Sequence, residues 1–435
     1  MESKKSKWAR RAALPLAFAL AAAVLAGCAP AASNASEQDP DAQILVWGDA
    51  TRKPAFDLYK KANPEANFKF ELIDAASYLS KIQLANKVGS GWPDLIFAGD
   101  PNVVAALSSP LFNYAQPLDD LVPQDVQKNF AGENAWCTID GKLYCLQNDL
   151  AQGVLWYNKP LLEEYGYELP KTWDEYAALG AKAAAEHPGT IVGSANAAFY
   201  DFLWSSGCPL QTLKSSTEAV INTADEKCTR VAETLDPMME NGSLSRAAIW
   251  GKDFVDIAKA GNLLMLPGPS WVGPIFLKNP DLVGAADGTW AAGAEPTWEG
   301  EDTNWSGATG GGVYIVSSHS KNTAAAVAAA QWLTTADDYQ ATAQTFPAYV
   351  PAAKAWLKNV AADPWFATDP SEVFADQAAK INPGTSPTRY DAVSAYNATV
   401  GTAITNGQSI ASALPALQTQ LSSLAANAGY AVTDK

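Results

Sequence analysis

Apolar positions in this chain fall into strand-length runs separated by helix-length segments of mixed polarity. Gln43 to Trp47 is an apolar strand, with Ile44, Leu45, Val46 and Trp47 in succession. Lys53 to Lys61 fits a helix that stops near Asn63-Pro64. Asn67 to Ile73 alternates as a strand, and Ser77 to Val88 fits a helix stopped by Gly89 and Gly91. Pro93 to Phe97 is a further strand. The order β-α-β-α-β predicts a mainly parallel sheet, whose ligands sit beyond the carboxyl ends of the strands. Trp47, Gly48, Asp49, Gly99 and Asp100 fall at those ends.

The stretch QGVLWYNKPLLEEYGYELPKTWDEYAALGAKAAAE, Gln152 to Glu186, is the most informative. Val154 to Tyr157 are strand formers, Asn158-Lys159-Pro160 starts a short helical turn, and Gly166 stops it. Thr172 followed by Glu175 reads as a capping box opening a second helix. This order of strand, short helix, Pro-Lys-Thr-Trp and long helix resembles the extracellular solute-binding proteins of bacterial carbohydrate ABC importers, the maltose and oligosaccharide binders most closely. The resemblance implies an α/β, two-lobed periplasmic-binding-protein-like fold. Each lobe would be a mainly parallel sheet flanked by helices, and a multi-stranded hinge would join them.

Asn148-Asp149-Leu150 is the candidate first crossing between lobes. Gly310-Gly311-Gly312 leads into a strand at Val313–Ser317, and Thr323 to Leu333 is an Ala-rich helix. The resemblance returns both to the first lobe. The expected division is then 42–150 plus about 303–337 for the N-terminal lobe, and 151–302 plus about 338–435 for the C-terminal lobe.

The N-terminus changes the picture of where such a protein would work. Lys4, Lys5, Lys7, Arg10 and Arg11 precede an apolar run from Ala12 to Ala26, the pattern of an export signal. The run is short for a spanning helix. Leu25-Ala26-Gly27-Cys28 resembles the bacterial lipobox, which implies cleavage after residue 27 and a lipid on Cys28. Residues 28–41, rich in Ala, Ser, Pro and acids, read as a flexible tether. The expected location is the outer face of the cell membrane, with a lipid as the membrane contact. Loss of residues 1–27 takes the net charge from −16 to −20, a balance that repels nucleic acid.

Cys137, Cys145, Cys208 and Cys228 remain in an exported setting. Four cysteines allow three pairings. The most local, Cys137–Cys145 with Cys208–Cys228, is favoured. One detail opposes the first bridge: a two-residue turn at Asp140-Gly141 sets Cys137 opposite Tyr144, so a bulge is needed. No close Cys pair and only two histidines, His187 and His319, argue against a metal site, and no cofactor motif is present. Gly310–Gly312 lacks the following Lys-Ser or Lys-Thr of a phosphate loop.

Fifteen tryptophans exceed what a core needs, and several stand beside glycine or proline: Trp271, Trp290, Trp298 and Trp305. Sugars offer hydroxyls for hydrogen bonds and C–H faces for aromatic rings, so a sugar cleft mixes Trp and Tyr with Asp, Asn and Arg. Trp271, in LPGPSWVGP after an apolar strand, is similar to the family turn whose indole stacks on sugar, with the spacing longer by one residue. Trp47 joins the set by its place at a strand end, and the resemblance adds Tyr78, Tyr200 and Trp204, the last two sharing a helix face. Asp49, Asp100 and Asp149 either contact ligand or cap a turn. Trp305 precedes the glycine run, where Gly310 and Gly311 let a ligand approach the backbone. Tyr349 and Arg389 complete the expected set.

The leading function is capture of an oligosaccharide by hinge closure and delivery to an ABC permease, by a monomer that performs no covalent chemistry. A cell-surface glycoside hydrolase, a binder of a non-sugar solute and an adhesion lipoprotein are the competing classes.

Overall fold

The computed structural model describes residues 37–434; the export signal and Cys28 lie outside the described residues. Three strands open the first sheet: β1 (Ile44–Gly48), β2 (Phe68–Leu72) and β3 (Leu95–Ala98). β1 pairs parallel with both neighbours, Val46 lying opposite Phe70 and Leu95. Helices Lys53–Ala62 and Tyr78–Val88 make the crossovers. Pro54 stands in the first turn of one, and Gly89, at φ 77°, ends the other in the left-handed conformation that glycine tolerates. The last described residues of the expected tether are held, not free. Asp39 N donates to Lys321 O at 2.6 Å, and Gln38 Nε2 to Ser320 O at 3.0 Å.

A small hairpin follows, β4 (Thr138–Ile139) and β5 (Lys142–Leu143), turning through Asp140 and Gly141, both at positive φ. Cys137 is bonded to Cys145 with Cα atoms 4.9 Å apart, and Cys208 to Cys228 at 4.7 Å. The turn does set Cys137 opposite Tyr144, whose N–H donates to the Cys137 carbonyl. No bulge is needed, because the β4–β5 pairing stops there. Cys137 ends a 3-10 turn, and Cys145 lies in the gap before β6 (Leu146–Gln147).

The second sheet is built on β7 (Gly153–Asn158), with Asn158 capping the short helix Lys159–Glu164. The Thr172–Glu175 capping box opens helix Trp173–Glu186. After helix Ala195–Ser205 come β8 (Thr212–Ser215) and β9 (Glu218–Val220), then β10 (Met265–Pro269) and β11 (Trp290–Gly293). Parallel pairing does not extend here: β7 is antiparallel to both β10 and β11. β10 continues through Pro267 and Pro269 because it is an edge strand, where a residue without an N–H costs no ladder bond. β12 (Val313–Val316) returns to the first sheet, antiparallel to β3 and β6, giving the order β2-β1-β3-β12-β6. β13 (Ala431–Thr433) pairs parallel with β9.

Two apolar clusters fill the molecule. Two of the tryptophans placed beside glycine or proline belong to them. Trp290 is a strand residue, and Trp298 packs on Trp173 at 5.4 Å beneath the guanidinium of Arg230. Among the described residues no helix is long and apolar enough to cross a membrane.

Three stretches joining the sheets are laced together. Asn148 N donates to Gly312 O, Leu150 N to Phe346 O, and Gly153 N to Gly307 O. The Asp149 carboxylate is buried among them. It accepts from Gly312 N at 2.9 Å and Asn148 Nδ2 at 2.8 Å, and it faces the buried guanidinium of Arg52 at 3.8 Å. It is a strut of the hinge and is not among the residues that line the cavity described below. Asp149→Ala strands the Arg52 charge, so a loss of about 3–5 kcal/mol of unfolding free energy is expected. Denaturant titration reading under 1 kcal/mol, on the order of a surface pair, would remove the strut role.

Beside the same stretches lie two buried carboxyls, Asp201 and Glu295. Asp201 Oδ1 accepts from Thr309 N and Oγ1, whereas Asp201 Oδ2 and Glu295 Oε2 have no hydrogen-bond partner among the described residues. Burial pushes Asp201 up to about 7. Burial, and then the Asp201 charge, push Glu295 well above the carboxylate range. The folded state therefore holds protons that the unfolded chain releases near pH 4. The sign follows: the Asp201 penalty grows as pH rises from about 4 to 7, and Glu295 adds in the same direction. Asp201→Asn is expected to flatten that decline and to be the more stable protein at pH 8, by about 2–4 kcal/mol. Denaturation curves at pH 5 and 8 that fall in parallel for the two proteins would refute it.

Candidate ligand-binding cleft

A cavity of about 600 Å³ opens where the hinge stretches meet the two large clusters. Pro101, just past β3, lines one wall and Trp204 of helix Ala195–Ser205 another. Gly310 and Leu150 come from the hinge, and Asn382 and Thr385 from the segment after helix Ser371–Ala379. Its surface is mostly carbon, with Gln147, Lys354, Asn382 and Thr385 as the polar side chains. A second cavity of about 330 Å³ shares Trp136, Pro383 and Thr385 with the first.

One aromatic group lines the larger cavity, and a second, Trp271 with Trp250, stands behind Gly310 without lining it. Trp204 donates from Nε1 to Asn382 O at 2.9 Å, which fixes the tilt of its ring. Trp136 packs against it at 5.0 Å and Tyr200 meets it edge-on at 6.1 Å. The second group is reached through Gly310, where a Cβ would stand 3.1 Å from Trp271 Nε1. Gly310 also holds φ 106°, so a side chain there is excluded twice over. Trp271 donates to Thr309 O at 2.9 Å and stacks nearly parallel on the exposed Trp250, 5.9 Å away at 7°.

The expected site residues therefore divide. Trp204 and Gly310 line the cavity. Gly311, at φ 90°, packs on the Asp149 and Leu150 carbonyls. Tyr200 is buried, its hydroxyl donating to Gln211 Oε1. Asp100 sits one residue before cavity-lining Pro101, and burial pushes its carboxyl up to about 6 against the hydrogen bonds that Asn102 gives it. Other residues go elsewhere. Trp47 and Tyr78 stack on each other at 6.0 Å in the core, and the Tyr78 hydroxyl donates to Phe97 O. Asp49 accepts from Thr51 N and caps a short 3-10 turn. Tyr349 packs on Phe130 at 5.2 Å, just ahead of cavity-lining Val350. Trp305 is half-buried and does not line the cavity. Arg389 lies over the Tyr430 ring and donates to Ala428 O and Ser216 O, lining only the smaller cavity.

Trp136 and Asn382 line the cavity and are not among the residues expected from the sequence. Trp250, which stacks on Trp271, stands beside Gly251 and so carries the same glycine-neighbour signal as the other loop tryptophans. Trp136 precedes Cys137, but nothing local says that its ring reaches Trp204. Among the described residues no three His, Cys, Asp or Glu side chains are grouped to hold a metal ion.

Comparison with known proteins bears on this architecture. A galactooligosaccharide-binding protein of Bacillus subtilis (strain 168) is 27% identical over 175 residues, 38% of this chain and 40% of that one. The match thus spans about two fifths of that relative's length. An ABC-transporter-associated binding protein from B. animalis subsp. lactis Bl-04, solved with β-1,6-galactobiose, superposes with a TM-score of 0.75 at 21% identity, over 90% of this chain and 99% of that one. The galacto-N-biose-/lacto-N-biose I-binding protein of Bifidobacterium longum, solved with lacto-N-biose, gives 0.75 at 20% identity, over 92% and 100%. Residues 42–340 match the family described as bacterial extracellular solute-binding protein, and with its two-lobed, hinge-laced fold the chain belongs to that family.

Proposed function

We propose that this protein captures a neutral oligosaccharide between its two lobes and delivers it to the permease of an ABC importer. The observation that carries the reading is the cavity itself. It is a carbon-rich space at the hinge with Trp136 and Trp204 set into its wall and a few amide and hydroxyl groups at its edge. Indoles pack on the C–H faces of sugar rings, while amides and hydroxyls meet their hydroxyls. The relatives named above are a galactooligosaccharide-binding protein and two binding proteins solved with β-1,6-galactobiose and lacto-N-biose, so these sugars are the first ligands to test. The lobes are proposed as residues 42–150 with about 303–337, and 151–302 with about 338–435; the strand pairing of β12 with β3 and β6 supports the return. A lipid on Cys28 is proposed as the membrane anchor.

A binder is favoured over a glycoside hydrolase by one feature. Hydrolysis of a glycosidic bond needs two carboxyl groups flanking it. No Asp or Glu is among the described residues that line the cavity, and the carboxyls of Asp201 and Glu295 are sealed beside the hinge.

Calorimetry against β-1,6-galactobiose, lacto-N-biose and maltose-series sugars tests the reading. Binding of at least one without release of reducing ends is expected; no heat with any of them, or turnover, would sink it. Trp136→Ala is expected to weaken binding at least ~10-fold, about 1.4 kcal/mol, with little change in melting temperature, because Trp136 is only half-buried. A large fall in melting temperature with unchanged affinity would make the ring structural.

A further inference from the structure

Asn102 and Gln211 are 109 residues apart in sequence and belong to different sheets' surroundings. Asn102 follows β3 of the first sheet; Gln211 follows helix Ala195–Ser205 and directly precedes β8. Gln211 Nε2 donates to Asn102 Oδ1 at 2.8 Å. Both residues are buried, at 1% and 6% exposure.

Each side chain is aimed from behind. The Asp100 carboxylate accepts from the Asn102 backbone N–H at 2.9 Å. That holds the turn carrying Asn102, whose side-chain oxygen faces Gln211. On the other side the Tyr200 hydroxyl donates to Gln211 Oε1, which turns the Gln211 nitrogen outward. The second hydrogen of that nitrogen goes to Thr388 Oγ1 at 3.2 Å, and the Thr388 hydroxyl in turn donates to Tyr390 O at 2.8 Å. The Gln211 carbonyl accepts from Ser386 N at 2.9 Å, so the backbone is anchored as well. An acceptor on one surface is thus presented to a donor on the other, with the donor's orientation and the acceptor's backbone set in advance.

The contact does not occupy the ligand space. Pro101 lines the larger cavity and Ala105 the smaller, and Asn102 lines neither. A ligand and this bond can therefore be present together.

We propose that the Asn102–Gln211 bond is a latch between the lobes that favours the closed form without help from ligand. This rests on the two-lobed, hinge-closing reading. Opening leaves Asn102 Oδ1 and one Gln211 N–H to water. The closed-to-open ratio then owes about a fivefold factor to this bond, the net worth of a typical buried hydrogen bond. Asp100 and Tyr200 act through it as positioning residues.

The test uses ligand-free protein, so its result is independent of which sugar binds. Small-angle scattering is measured for the natural chain, Asn102→Ala, Gln211→Ala and the double variant, with near-ultraviolet circular dichroism as the check on folding. Asn102→Ala keeps the backbone N–H that Asp100 holds and is the variant on which the outcome rests if Gln211→Ala does not fold. Both single variants are expected to increase the radius of gyration, reflecting a closed-to-open ratio lowered about fivefold, and the double variant to add nothing further. An unchanged radius in Asn102→Ala, or increases that add in the double variant, would overturn the latch.

Discussion

The structure depends on keeping polar backbone satisfied where the chain repeatedly passes between two lobes. A single linker could stay in water, but stretches packed side by side bury their amides and carbonyls. Here those groups bond to one another across stretches: Asn148 to Gly312, Leu150 to Phe346, Gly153 to Gly307. Asp149 adds a charge-assisted acceptor to Gly312 N, and Arg52, lying over the Phe97 ring, balances that charge. Burial cannot be relaxed at one stretch without exposing groups of the next, and so the hinge bends as a unit.

The glycines of the hinge follow from the same constraint. Gly153 is packed so closely on Glu295 that a Cβ would fall 2.0 Å from Oε1, and Gly312 lies on the ring of Phe97 at 2.5 Å by the same measure. Gly310 admits the indole of Trp271. The hinge is thin in side chains because its neighbours already fill the space. That thinness in turn lets Trp271 pack directly against the Gly310 backbone at the edge of the cavity.

Much of the scaffold is legible in the sequence because its signals are local. The Thr172–Glu175 box, the Asp140-Gly141 turn and Gly89 each need only a few neighbouring residues to act, and each acts as read. The antiparallel second sheet was hidden because pairing direction is decided by a partner more than a hundred residues away, Leu155 against Pro267. The site is less legible for a related reason. Asp149, Asp49 and Asp100 look alike as acids after strands, yet one braces the hinge, one caps a turn and one orients Asn102. Sequence fixes where a carboxylate is attached, whereas its partner depends on tertiary packing. Trp298 and Trp271 show the same limit: both stand near Gly or Pro, and only packing on Trp173 makes the first a core residue.

Division of labour between hinge, latch and aromatic walls has a quantitative logic. A binding protein of this kind must change shape by as much as its ligand prefers the closed form, and no more. If direct contacts between lobes were worth many hydrogen bonds, the empty protein would stay shut and a ligand could shift nothing. One bond such as Asn102–Gln211, near fivefold, biases closure while leaving most of the shift to the cargo. The tilted Trp136–Trp204 pair, packed together in the cavity wall at 5.0 Å, supplies surface that a sugar ring can cover. Specificity then rests on the few polar groups at the cavity edge, such as Asn382 and Thr385, because in a carbon-rich space an unmatched hydroxyl is costly. Affinity comes from area, and selection from the small number of places where a hydroxyl can be met.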